Sequence, residues 1–185
     1  MGNKKKPFIR VCHWDRQSGK TTFIMKDALD RLKHDGETGV ILISPDAQHS
    51  RMLRDKFIAL VAEDSKFDLG SINYMDRVAI LSVKEFAWHS PNTIKSKSRV
   101  NRVFTQNPDG EVAKTIYIYC DEVNYFGVSF EQLMLAIDKL NSPSVNVSHV
   151  TFTATRVNKP SHHEKAEQMI RSDQGLSDGS ENFRD

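Results

Sequence analysis

A short apolar run, Phe8-Ile9-Arg10-Val11-Cys12-His13, stops at a polar loop holding Ser18-Gly19-Lys20-Thr21, and a helical pattern follows at once. Strand, glycine-containing loop and helix in that order constrain the fold more than any other feature, because a strand joined to the next by a helix runs parallel to it. The junction also constrains the chemistry. Backbone N–H groups at a helix start can wrap phosphate oxygens, a lysine there reaches the β and γ phosphates, and the next hydroxyl ligates magnesium. Gly19, Lys20 and Thr21 supply those parts, while Trp14 stands where the full pattern wants its first glycine.

The rest of the chain repeats the alternation. Ile24, Ala28 and Leu32 recur at helical spacing within residues 19 to 34, ended by Gly36 and Gly39, so one face of this helix should lie on a sheet. Val40-Ile41-Leu42-Ile43 is continuously apolar, as a strand covered on both faces must be. Ser44-Pro45-Asp46 breaks it before a helix carrying Leu53, Phe57, Leu60 and Val61, and Val78 to Val83 reads as a strand. Residues 89 to 114, with Pro91 and the turn Asn107-Pro108-Asp109-Gly110, read as an exposed excursion. Thr115 to Cys120 is a strand, Phe130, Leu133, Met134, Ile137 and Leu140 mark a helix, and Val145 to Thr153 is a further strand that Thr153-Ala154-Thr155 closes. The expected fold is α/β, a three-layer αβα domain with a mainly parallel central sheet, over residues 1–156; residues 157–185 read as a short helix near His162 to Arg171 and a flexible polar tail.

Charge and cysteine usage narrow the classes. With 26 basic and 24 acidic side chains, the net charge of +2 does not by itself call for a polyanionic partner. Cys12 and Cys120 sit apart in apolar runs, which predicts buried thiols in the cytoplasm rather than a disulfide framework. No run approaches the roughly 18 apolar residues of a membrane span, so no membrane partner is expected.

A phosphate loop needs a carboxylate at the end of a neighbouring strand, and the strand 115–120 ends in Asp121-Glu122. Asp121 would hold magnesium through water, beside the Thr21 hydroxyl as ligand, and Glu122 would orient or deprotonate the attacking water; the bland alternative is a solvated acidic turn. Thr153, Ala154 and Thr155 close a later strand at the same edge, where hydroxyls can sense the terminal phosphate. Arg16, inside the loop, fits either a charge stabiliser or a surface arginine. Lys95, Lys97, Arg99 and Arg102, interleaved with Ser96, Ser98 and Asn101, fit either contact with a DNA backbone or a solvated basic loop. His162-His163-Glu164 begins like a zinc-protease helix, but Glu167 replaces the second histidine and the metal reading fails.

Together, Asp15-Arg16-Gln17-Ser18-Gly19-Lys20-Thr21-Thr22, the strand ending in Asp121-Glu122 and Thr153-Ala154-Thr155 resemble the ATPase domain of the large terminase subunits of tailed phages. Arg16-Gln17 is the most specific part of the likeness, and the family often lacks the leading glycine that Trp14 replaces. Ile43 to Ser50 is similar to the strand-end motif that follows the first helix in terminases and related helicases. The resemblance spans about residues 8 to 156. It implies a RecA-like core, Asp15 to Thr22 on the nucleotide, hydrolysis of ATP with Mg2+, Thr153 to Thr155 as the coupling motif, double-stranded DNA as cargo, and a homo-oligomeric ring docked on a portal. The chain after Thr155 is shorter than the family's nuclease domain, so DNA cutting is not expected of this chain, and a nuclease subunit joins the portal among the packaging partners the resemblance implies. Too little chain precedes Phe8 for the family's adenine-contacting region. Three rivals share parts of the pattern. A helicase-like half shares the loop, the Asp-Glu strand and the Thr-Ala-Thr motif. A thymidine-kinase-like enzyme shares Ser-Gly-Lys-Thr but needs paired zinc cysteines. A nucleotide-gated binding module needs no Glu122.

Overall fold

The structure, a computed structural model, describes residues 6–15, 18–65, 74–88, 115–141 and 145–155. Five strands form one sheet in which every pairing is parallel: β1 (Phe8–Trp14), β2 (Thr38–Ser44), β3 (Val78–Ser82), β4 (Thr115–Cys120) and β5 (Asn146–Thr155), in the order β1-β5-β4-β2-β3. Helices cover both faces. α1 (Lys20–His34) and α2 (Ala47–Ser65) lie on one side, and α3 (Val83–Trp88) and α4 (Phe130–Leu140) on the other. This is the expected three-layer αβα, RecA-like arrangement, and among the described residues no helix is long and apolar enough to cross a membrane.

The layers follow from side-chain alternation. On β2, Val40 and Leu42 face α1 and α2, while Ile41 and Ile43 face α3 and α4, so all seven residues of the strand are buried. On α1, Ile24, Met25, Ala28, Leu29 and Leu32 form the buried stripe; each fully buried Ile or Leu contributes about 1.5–3 kcal/mol. Tyr119 on β4 faces the same layer, buried, and its hydroxyl donates to Asp27 Oδ2 at 2.7 Å. Burial and that bond push the phenol's pKa up. Cys12 and Cys120 are free and buried, and burial likewise raises the Cys120 thiol.

Two local devices fix the ends of elements, and a third resets a strand's register. Arg77, buried just before β3, donates to the carbonyls of Leu32 (2.6 Å), Asp35 (2.6 Å) and Thr38 (3.2 Å), tying the end of α1 to the start of β2. Ser129 and Gln132 form a reciprocal capping box that starts α4. On β5, Ile116 pairs with Val147 and Tyr117 with His149, so Ser148 is an extra residue in the ladder, a bulge.

One expectation needs correction. Val83 does not end the third strand; β3 stops at Ser82, and Val83 opens α3. Ser82 is the cap: Glu85 Oε2 accepts from Ser82 N at 2.9 Å and from Ser82 Oγ at 3.0 Å, while Glu85 N donates to Ser82 Oγ at 3.3 Å. Those bonds satisfy amides at the helix start and end the strand inside an apolar run. The excursion 89–114, the terminal helix and the tail lie outside the described residues.

Candidate functional site

The C-terminal ends of β1, β5 and β4 bring the sequence motifs to one edge of the sheet. β5 lies between the strand that enters the glycine loop and the strand that ends in the acidic pair. The last β1 pairing joins Trp14 to Thr155, so Trp14 is still strand and needs no glycine there. Its ring meets Phe23 of α1 edge-on, with centroids 4.9 Å apart.

The loop closes on the carbonyl of Asp15, which accepts from Ser18 Oγ at 2.6 Å, from Ser18 N at 3.3 Å and from Lys20 Nζ at 3.4 Å. Gly19 follows at φ 82°, ψ 17°, and is the N-cap of α1. A Cβ there would meet nothing within 4 Å, so glycine is required by the left-handed backbone and not by crowding. Thr22 is exposed on the first turn of α1. Arg16 and Gln17 lie outside the described residues, as do Lys95, Lys97, Arg99 and Arg102.

Lys20 has only 4% of its side chain exposed, and its ammonium is surrounded by acceptors. It lies 3.1 Å from Glu122 Oε1 and donates to Thr155 Oγ1 at 3.0 Å. The Thr155 hydroxyl in turn donates to Glu122 Oε2 at 2.8 Å, closing a ring of three side chains from α1, β5 and the turn after β4. Two hydroxyls flank Asp121: Thr21 Oγ1 donates to Oδ2 and Thr153 Oγ1 to Oδ1, each at 2.8 Å. Thr153 Oγ1 also accepts from Glu122 N at 3.1 Å. Burial raises the Asp121 carboxyl above its ordinary range, and the two threonine hydroxyls partly offset that by donating to the anion.

Glu122 is the sole non-glycine residue with positive φ among the described residues (φ 55°, ψ 52°). A left-handed non-glycine backbone costs about 1–2 kcal/mol. Here the strained turn swings the Glu122 carboxylate toward Lys20.

The structure therefore brings together Asp15, Ser18, Gly19, Lys20, Thr21, Asp121, Glu122, Thr153 and Thr155. Ala154 is buried in β5 with its neighbours' hydroxyls on the other face. Asn124 joins this set although nothing in the sequence singled it out: a lone asparagine in a turn is ordinary turn chemistry. Among the described residues, no group of three or more His, Cys, Asp or Glu side chains converges to form a protein-held metal centre. Magnesium bound with a nucleotide needs no such group, because it takes one or two protein oxygens and fills its octahedron with phosphate oxygens and water. The facing oxygens of Thr21 and Asp121 fit that donor set.

Fold and cluster define an α/β domain of RecA-like architecture with its polar centre at the strand C-termini. The sequence matches no protein-family model and no curated protein at a significant level. The likeness to terminases thus rests on the residues quoted above.

Proposed function

We propose that the chain is a Mg2+-dependent ATPase whose turnover drives double-stranded DNA translocation, as a terminase-like genome-packaging subunit. The observation that carries this reading is the convergence of Lys20, Thr21, Asp121, Glu122 and Thr155 within hydrogen-bond reach at one sheet edge. Amides at the start of α1 and the Lys20 ammonium receive the β and γ phosphates. Magnesium held by Thr21 and Asp121 neutralises phosphate charge when bound. As Lys20 turns to the phosphates, the Glu122 carboxylate is released to accept a proton from water. The water oxygen forms a bond to the γ phosphorus, the bond from that phosphorus to the bridging oxygen breaks, and ADP and phosphate leave. Arg16 supplies further positive charge, Thr153 to Thr155 couple the site to movement, and Lys95, Lys97, Arg99 and Arg102 contact the DNA backbone. A homo-oligomeric ring with portal and nuclease partners, in the cytoplasm, completes the proposal.

The test is ATP hydrolysis by the purified chain with and without magnesium and double-stranded DNA, at low and high salt, beside Lys20→Ala and Glu122→Gln. DNA-stimulated, salt-sensitive turnover lost in both variants is the expected result. Tight ATP binding without turnover under any DNA condition would eliminate an autonomous motor.

A further inference from the structure

Backbone pairing between β4 and β5 ends at Cys120 and Phe152. Beyond that point the two segments stay together through side chains. Thr153 Oγ1 takes Asp121 and the Glu122 amide, Thr155 Oγ1 takes the Glu122 carboxylate, and Asn124 takes the Thr155 backbone. Asn124 Nδ2 donates to the Thr155 carbonyl at 3.1 Å, and Thr155 N–H donates to Asn124 Oδ1 at 3.0 Å. The orientation of the amide is forced, since a peptide N–H can only donate and a carbonyl only accept.

The N–H and C=O of one residue in a strand point to the same side, so a single side-chain amide can replace the missing rung of the neighbouring strand. Asn124 does this for β4, just after the left-handed Glu122 has broken its ladder. The Thr155 backbone is thereby fixed from the turn that carries Glu122. Among the described residues its hydroxyl is the group bonded to both Lys20 and Glu122.

The structure assigns to Asn124 the role of a positioning residue for hydrolysis: it holds Thr155 so that the Thr155 hydroxyl aims Glu122 at the attacking water once Lys20 has turned to the phosphates. This assignment rests on the ATPase reading above and adds a residue and a route to it. Among the described residues Asn124 is bonded to the Thr155 backbone and not to Lys20 or Thr21, so its loss should slow the chemical step without weakening nucleotide capture.

The test is steady-state ATP hydrolysis, with thermal unfolding as a control, by the full chain and by Asn124→Ala, Thr155→Val and the double variant. Asn124→Ala should lower kcat at least tenfold while KM for ATP stays within about threefold. The double variant should be no slower than the slower single one, because both changes interrupt one route. Unchanged kcat in folded Asn124→Ala, a rise in KM alone, or multiplication of the two single effects would each overturn the assignment. If Asn124→Ala does not fold, the isosteric Asn124→Asp carries the same comparison, since it keeps the bond from Thr155 N–H and removes the one to the Thr155 carbonyl. A wild-type chain without turnover overturns the ATPase reading itself and this role with it; an active wild type with an equally active Asn124→Ala overturns this role alone.

Discussion

Lys20 Nζ and Glu122 Oε1 stand 3.1 Å apart, so the cation expected on the phosphates is bound to the anion expected on the water. Under the proposed function, bound phosphates would draw Lys20 away from Glu122. Glu122→Gln removes the counter-charge of a lysine that is only 4% exposed. Because Glu122 itself is a quarter exposed (25%), the loss is smaller than for a fully buried pair; we expect about 1–2 kcal/mol of destabilisation in the ligand-free chain. Phosphates restore that negative charge, so saturating Mg2+ and ATP should raise the melting temperature of Glu122→Gln by more than that of the wild type. Equal ligand-induced shifts in differential scanning fluorimetry would contradict the exchange of partners.

Asp121 gives a pH signature. Burial raises its folded pKa above the unfolded value, so the folded state holds the proton more tightly. Its contribution to stability is present below the ordinary carboxylate range and is lost as pH rises through the elevated value. At neutral pH the ionised carboxylate costs stability, a cost that the proposed magnesium would offset when bound. Asp121→Asn should therefore flatten the fall in melting temperature between low and neutral pH, and abolish magnesium-dependent nucleotide binding. Parallel melting curves for the two proteins across pH 4–8 would count against this.

Arg77 donates to three carbonyls at the junction of α1 and β2. Arg77→Met keeps much of the side-chain volume and leaves those carbonyls without their cation. The expected cost is about 2 kcal/mol, since bonds to charged donors are worth more than neutral ones. Urea unfolding should show a lower midpoint with an unchanged slope.

Ser82→Ala removes the cap of α3 and one side of its box with Glu85. A loss of about 1 kcal/mol is expected. Hydrogen exchange should quicken at the Glu85 amide before it changes in β3, because the helix start frays independently of the strand.

How much of this was legible in the sequence depends on where each residue's partner lies. β2 and β4 could be read because burial on both faces writes continuous apolar runs, and α1 because its sheet-facing stripe repeats at helical spacing. Lys20 and Thr21 could be read because they open a helix straight after a glycine loop, and Asp121 and Glu122 because two carboxylates end an apolar strand. The boundary at Ser82 was hidden because Val83 is apolar whether it ends a strand or begins a helix; only Ser82 with Glu85 marked it. Arg77 and Asn124 left no trace for a different reason. Their partners are backbone groups at Leu32, Asp35, Thr38 and Thr155, and any residue type would offer the same carbonyl or amide.

The Ser148 bulge decides on which side of the sheet the threonine hydroxyls stand. Side chains alternate along a strand, so in an unbroken β5 Val147 and Thr153 would share a face. Val147 belongs to the buried cluster that holds Leu133 and Ile137 of α4, whereas Thr153 reaches Asp121 on the opposite side, because Ser148 changes the count by one. If Ser148 were drawn into the ladder, the parity would reverse for everything after it: Thr153 and Thr155 would turn into the oily layer beneath α4, and Phe152 and Ala154 would stand beside Lys20. Deleting Ser148 would only straighten the strand and leave both hydroxyls where they are. The polarity of this edge is thus set by whether an odd or an even number of residues is paired between Val147 and Thr153.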